Sequence, residues 1–381
     1  MKNFRNISIC LSILFCAAFA CTPADDTESH FPACMTDNGK KIGIGGRKKI
    51  FVLDAETGEV IKTAETKNRK ATAVCSADGE VFSVTGEEIL EVETGKKYPR
   101  RIVDSTVIGI NSANKLISYD GKKISGGDGR SLKLKVENPT DQTDDLKMFE
   151  LTPENLDAVE RNKKNYLIVP VKLLNKDKLL VFAGGKARTL PADIEADMFP
   201  DIWGFYKINL INGEIEKTRA LDQSFDEVSL FRLPVTDSSK DGQIAAIAAG
   251  NSDGFVVYVF DTETGEIIFK KGYYERRKTD ENNFDLSGIN SLAISADKTK
   301  LAVAEDWYDG GRGRFKGEPI ISIYDLKSTE KINDFAVTGR DSIILSFSGK
   351  DLIAYSEDEK SAAKFDTGNG KEIWNTNLEE N

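Results

Sequence analysis

A six-residue turn, Asp-x-x-Thr-Gly-Glu, recurs along this 381-residue chain with an apolar run on each side of it. It reads Leu53-Asp54-Ala55-Glu56-Thr57-Gly58-Glu59-Val60 and again Phe260-Asp261-Thr262-Glu263-Thr264-Gly265-Glu266-Ile267. Eroded copies stand at Val92-Glu93-Thr94-Gly95-Lys96, Leu210-Ile211-Asn212-Gly213-Glu214, Tyr324-Asp325-Leu326-Lys327-Ser328-Thr329-Glu330 and Phe365-Asp366-Thr367-Gly368-Asn369-Gly370-Lys371. Self-similarity of this kind restricts the chain to a repeat architecture, in which each unit buries its apolar surface against the next.

The turn is a hairpin signal. Asp bonds its own backbone two residues on, and Gly supplies the positive φ of a tight reversal. The flanks, such as Ile50-Phe51-Val52-Leu53 and Phe255-Val256-Val257-Tyr258-Val259-Phe260, are β-branched and aromatic. They are near-continuously apolar, as expected of a sheet covered on both faces by neighbouring blades. Phasing on the hairpin gives seven units, each with four strand-like segments. The later units begin near Ser105, Asn165, Ser229, Ile289 and Asp341. The expected fold is therefore all-β: a seven-bladed β-propeller with four antiparallel strands per blade. Unit three lacks a Thr-Gly turn, so six or eight blades stay open. A repeat of roughly 50 residues is long for a propeller but within its range.

The first twenty residues differ in kind. Lys2 and Arg5 precede an apolar run from Ile7 to Phe19, and Ala18-Phe19-Ala20 is a small-x-small cleavage pattern. The expected organisation is a signal peptide over 1–20, a polar tether over 21–30 and one propeller domain over 31–381. Cys21 follows the cleavage pattern and resembles the lipidated cysteine of bacterial lipoproteins. Phe19 and Ala18 depart from the usual lipobox, and simple cleavage before Cys21 is the alternative. Outer membrane or periplasm is the expected location, with secretion as the alternative.

Of the remaining cysteines, Cys34 and Cys75 hold one register in adjacent units, Cys34-Met35-Thr36-Asp37 and Cys75-Ser76-Ala77-Asp78. An exported chain allows a bridge if the strands bring their Cα atoms within about 7 Å. Each also reads as a small buried hydrophobe, as Ile294 does in the same slot. The only histidine is His30, before the first strand, which leaves the body without a Ser-His-Asp relay or a multi-histidine metal site. Gly43, Gly45 and Gly46, and likewise Gly126, Gly127 and Gly129, read as turn glycines rather than phosphate cradles. A net charge of −10 without a basic stripe argues against nucleic acid as a partner. No cofactor or metal set is legible.

The repeat turn resembles that of the PQQ-repeat, YVTN and WD40-like propellers over most of the chain. Within that group a lipid-anchored, non-enzymatic propeller of the barrel-assembly machinery is similar in size and export. That group often carries Trp after the turn; Lys371-Glu372-Ile373-Trp374 conforms, whereas Val60 and Ile267-Ile268-Phe269 do not. The resemblance implies a propeller scaffold and gives no cofactor site.

In a propeller the connections between strands one and two and between three and four lie on one face, and the others lie opposite. The first set is short here. Long insertions are expected opposite, at Asn138–Lys164, Gly184–Ile202, Gly272–Ser287 and Glu305–Glu318, and long loops on a rigid scaffold commonly bind. Two of them border unit six and carry Tyr273, Tyr274, Arg276, Trp307, Tyr308, Arg312, Arg314 and Phe315, the residue types of binding hot spots. Asp193, Glu195, Asp197 and Asp201 form an acidic loop in unit four, and Thr152-Pro153 starts an expected short helix reaching about Asn162. Two functions follow. The first is a binding or scaffold module for an envelope protein or glycan, joined to the membrane through an N-terminal lipid. The alternative is a propeller hydrolase, lactonase or lyase using channel carboxylates, with or without Ca²⁺.

Overall fold

The computed structural model describes residues 33–378 except 37–38, 46–47, 67–70, 77–78, 86, 102–104, 111–114, 121–131, 139–145, 153–154, 157–165, 175–176, 186–201, 222–234, 252–253, 274–275, 279–283, 310–317, 338–342 and 357–360. The described strands form seven antiparallel sheets, each built from consecutive chain. They are blade one (Ala33–Glu65), two (Thr72–Pro99), three (Thr106–Leu151), four (Tyr166–Leu221), five (Val235–Tyr273), six (Arg276–Ala336) and seven (Ile343–Asn377). Six blades have four strands in the order 1-2-3-4; blade six has a fifth. The fold is an all-β seven-bladed propeller.

The repeat turn now has a structural cause. Asp54 Oδ1 accepts the backbone N–H groups of Glu56 (2.8 Å) and Thr57 (2.9 Å). Asp261 does the same for Glu263 and Thr264, and Asp325 for Lys327 and Ser328. Asn209 and Asp366 repeat the pattern in the eroded copies. These bonds hold the Asp54 carboxyl below its usual range, first through Thr57 and then Glu56. The residue after the Asp or Asn is tucked under the neighbouring turn of its own blade. Ala55 N donates to Lys40 O (2.9 Å), Leu210 N to Asp177 O (2.8 Å), Thr262 N to Gln243 O (2.8 Å) and Leu326 N to Thr299 O (2.8 Å). A buried hydroxyl closes the other turn: Thr36, Ser76, Ser239 and Ser295 each bond the residue four or five places on. The face carrying these turns, here the lower face, is a set of paired, mutually fastened hairpins.

Seven apolar clusters fill the spaces between blades. Tyr206, Phe182, Phe205 and Phe260 are the largest of the fully buried side chains. An aromatic from the outermost strand of one blade also covers the turn glycine of the next. Phe149 lies over Gly213, Phe335 over Gly370 and Trp374 over Gly58. The last contact crosses from blade seven to blade one. Among the described residues no strand is shared between those blades, and the ring is closed there by packing and polar contacts. Tyr355 Oη donates to Gly45 O (3.0 Å), Thr376 Oγ1 to Gly58 O (2.7 Å) and the buried Lys364 ammonium to Glu56 (2.9 Å).

Cys34 and Cys75 are joined by a disulfide between the first strands of blades one and two, with Cα atoms 5.6 Å apart. Gly43 pairs with Cys34, and a Cβ there would meet Val81 at 2.6 Å and the Cys34 sulfur at 3.0 Å. Gly43 and Gly45 thus lie inside a strand, not in the turn expected of them; glycine is needed at 43 for close approach of the neighbouring blade. Gly46 and Gly126–Gly129 lie outside the described residues.

The supposed insertion Asn138–Lys164 is corrected by the outer strand of blade three, Lys147–Leu151, which lies within it. Strands three and four of blade three are therefore nine residues apart along the chain, so the connections of that set are not all short. The sequence missed this strand because Lys147-Met148-Phe149-Glu150-Leu151 follows no Thr-Gly turn. Of the expected helix, the described part is a turn: Thr152 N donates to Asn155 Oδ1 (2.8 Å) and Asn155 N to Thr152 Oγ1 (3.2 Å). There is no helix among the described residues.

Candidate interaction face

Strand direction sets what lies on the upper face. The first strand of each blade runs down into the fastened turns, and the second runs back up. In blade six these two strands are unusually long, Phe284–Ile294 and Lys300–Asp309. The third strand pairs only from Lys300↔Asp325 to Glu305↔Ile320. Beyond that, Asp306–Asp309 pair with Asp285–Gly288. The extra strand, Arg276–Lys278, adds to the inner edge of the same first strand, from Arg276↔Leu286 to Lys278↔Phe284. The result is a three-stranded projection rising from the upper end of blade six.

The register brings several expected site residues together. Arg276, Leu286 and Tyr308 occupy one cross-strand row, and Ser287 with Trp307 the next. Arg277, Asp285 and Asp309 form the row beyond. Tyr274, Arg312, Arg314 and Phe315 lie outside the described residues, as do Asp193, Glu195, Asp197 and Asp201. Leu286 and the strand Arg276–Lys278 were not singled out from sequence. The signal was there: Arg-Arg-Lys, a polar Asp-Glu-Asn-Asn stretch, then Phe284-Asp285-Leu286-Ser287 in alternation is a hairpin pattern.

Tyr273 has a different place from the one expected. It ends the outer strand of blade five and is 7% exposed, in the cluster between blades five and six. Its hydroxyl donates to the Tyr324 hydroxyl at 2.8 Å. Burial, then the Tyr324 oxygen, pushes its ionisation far above the usual phenol range, so it stays a neutral donor. Phe269 packs on the Tyr324 ring, with centroids 5.0 Å apart. Tyr273 is a core residue that fixes the base of the projection rather than a residue of its surface.

The inner strands offer a carboxylate, Asp237, for the catalytic alternative. Its Oδ1 accepts Lys172 Nζ from blade four at 2.7 Å, and its Oδ2 accepts Ile294 N from blade six at 2.8 Å. Lys172 also reaches Ser238 O at 2.8 Å. Asp237 thereby ties three consecutive blades together, and both of its oxygens are engaged. Among the described residues, no three His, Cys, Asp or Glu side chains converge as a metal set would.

No family model matches the sequence, and no curated protein matches it. Solved structures superpose on most of the chain, among them a β-propeller domain and a set of WD40 repeats. The Kluyveromyces lactis Hsv2 with loop 6CD replaced by a Gly-Ser linker superposes with TM-score 0.54 at 12% identity, covering 90% of this chain and 97% of that one. The Cps50 (Swd1) β-propeller domain of Myceliophteria thermophila gives 0.51 at 11% identity, with 86% and 92% covered. The RRP9 WD40 repeats give 0.50 at 12% identity, with 86% and 87% covered. At such identity the likeness establishes the fold alone.

Proposed function

We propose that this chain is an exported, lipid-anchored propeller that binds a protein or glycan of the cell envelope through its upper face, centred on blade six. The observation that carries the reading is the asymmetry of that blade. Its first two strands outrun the third and gain an added strand, which places Arg276, Trp307 and Tyr308 on neighbouring rows above a rigid base. A projection rooted in a ring of blades with fastened lower turns is held at its base, and pre-organisation of that kind lowers the ordering cost of binding. Export is supported by the N-terminal pattern around Lys2, Arg5 and Ala18-Phe19-Ala20, and the Cys34–Cys75 bridge suits an oxidising compartment. Cys21 carries the lipid in this reading.

The test is capture of envelope proteins and glycans by the mature chain, compared with Trp307→Ala/Arg314→Ala. The pair reduces capture at least tenfold, as loss of hot-spot aromatics and arginines does (about 1.4 kcal/mol or more). Substitutions on the lower face, at Glu263 and Glu266, leave it unchanged. Equal loss from both sets overturns the placement. If Cys21→Ser stays membrane-bound in salt-washed envelopes, the anchor is wrong.

A further inference from the structure

The innermost strand of blade one is held more lightly than its counterparts. Ala33–Met35 is three residues long, where the first strands of the other blades run from four to eleven. It pairs along one edge only, through Ala33↔Ile44, Cys34↔Gly43 and Met35↔Ile42, and all three residues are half-exposed. Among the described residues no blade precedes it, so no link from a neighbour holds its upper end. A strand with so few rows and so little buried surface opens at low free-energy cost. Its lower end is firmer. Thr36 is buried, Thr36 N donates to Lys41 O at 3.0 Å, and Lys41 N donates to Thr36 Oγ1 at 3.1 Å.

The disulfide meets this strand at its middle residue. Alternation puts Ala33 and Met35 against the cluster between blades seven and one, and Cys34 against the cluster between blades one and two. There Cys34 is bonded to Cys75, also half-exposed, across a sequence separation of 41. Gly43 leaves room for the sulfur, since a Cβ at that position would lie 3.0 Å from it. Cys75 belongs to a strand that pairs through four rows, Thr72↔Val84 to Cys75↔Val81, and that the chain enters from blade one and leaves by a fastened turn at Ser76. The bridge therefore ties a lightly held strand to a firmly held one.

We propose that the Cys34–Cys75 bridge is a redox latch on the strand Ala33–Met35. Oxidised, it keeps the strand in the ring. A dithiol reductant opens it by exchange: one thiolate attacks a sulfur and expels the other cysteine as thiolate, and the second thiol of the reductant then displaces the first cysteine. The reductant leaves as its own disulfide, and the protein gains two electrons and two protons. The freed strand leaves the inner edge of Lys41–Gly45 unpaired at the channel, while the other blades keep their sheets. The latch stands independently of the proposed lipid anchor; export supplies the oxidising conditions in which it closes.

Hydrogen exchange read by mass spectrometry tests the latch in the mature chain carrying Cys21→Ser, where Cys34 and Cys75 are the cysteines that remain. Dithiothreitol at neutral pH reduces the bridge without denaturant, as alkylation of both thiols shows. Segments covering Ala33–Met35 and Lys41–Gly45 then exchange at least about tenfold faster, and Ile244–Asn251 in blade five is unchanged. Cys34→Ser/Cys75→Ser reproduces the fast exchange in the absence of reductant and does not respond to its addition. Exchange over 33–45 that reduction leaves unchanged, or that is already fast with the bridge intact, overturns the proposal. So does loss of protection through all seven blades, which makes the bridge a staple of the whole ring. A bridge that dithiothreitol reaches only in denaturant overturns it as well.

Discussion

Gly58 is the residue where two demands of the repeat meet. Its φ is +75°, and a Cβ built there would lie 2.5 Å from the Trp374 ring. Gly95 has the same backbone, φ +73°, with nothing within 4 Å of that Cβ. Gly95→Ala should therefore cost about 1–2 kcal/mol for the left-handed backbone alone. Gly58→Ala should cost about 2–4 kcal/mol, because the ring must also shift. Chemical denaturation of the two variants separates the terms, and equal losses would show that Trp374 gives way freely. A second prediction at this scale concerns pH. Partial burial works to raise the Asp241 carboxyl, but the Lys298 ammonium at 2.8 Å, the Ser239 hydroxyl and the Gln243 N–H bring it down to about 2. A depressed carboxylate stabilises the fold fully above its unfolded value of about 3.9, and the contribution is lost as pH falls through the folded value. Asp241→Asn should flatten the loss of stability between about pH 4 and pH 2; an unchanged acid limb in that window would show that the contact between blades five and six contributes nothing.

Blade two has the shortest strands, of three or four residues each, and a buried ion pair lies between it and blade three. Arg100 donates to Thr85 O (2.9 Å), Ser105 O (2.8 Å) and Ser105 Oγ (2.6 Å), and its Nε lies 3.8 Å from Glu137, which is 1% exposed. Burial pushes the Glu137 carboxyl up in spite of the Arg101 N–H bond and the Arg100 charge. Arg100→Met strands that carboxylate and should cost about 3–5 kcal/mol at neutral pH. A raised carboxyl gains its proton first in the folded state, so the penalty shrinks as pH falls toward the unfolded value and is full above the folded one. Arg100→Met/Glu137→Leu should recover most of the loss; a double variant no better than the single would mean that the pair sets the register of the two blades. None of this was legible in the sequence, where Arg100 and Glu137 are ordinary surface-type residues 37 positions apart. What was legible is what repeats: Asp54, Asp261 and Asp325 announced hairpins, and blade starts expected at Ser105, Asn165, Ile289 and Asp341 fall within a few residues of strands opening at Thr106, Tyr166, Phe284 and Ile343. Tyr273 shows the limit of that signal. Composition marks an aromatic as fit for binding or for core, and only the Tyr324 hydroxyl opposite it decides which.

At the scale of the molecule, the ring has one joint unlike the others. Neighbouring blades elsewhere are linked by the chain itself, and blades one and two by a disulfide as well. Blades seven and one meet through side chains: Trp374 over Gly58, Thr376 on Gly58 O, Tyr355 on Gly45 O, and Lys364 between Glu56 and Asp351. Phe335 over Gly370 is the same kind of contact at a joint the chain also crosses. Trp374→Ala should cost about 3 kcal/mol, the low end for a large aromatic because the ring is only half-buried. Phe335→Ala should cost a similar amount in equilibrium stability. The two should differ in how they open. Without Trp374 the ring can part at a single non-covalent seam, so strands of blades one and seven should exchange amide hydrogens together, well before the rest. Without Phe335 the parted blades remain tethered, and exchange should rise locally around Gly370. Cys34→Ser/Cys75→Ser in the Trp374→Ala background then tests whether the bridge keeps blade one in the ring: early exchange confined to blades seven and one should spread into blade two once the bridge is removed, and would stay confined only if the disulfide adds nothing. An opening that begins at any other joint would mean that the seam between the chain ends is not the weak point of this propeller.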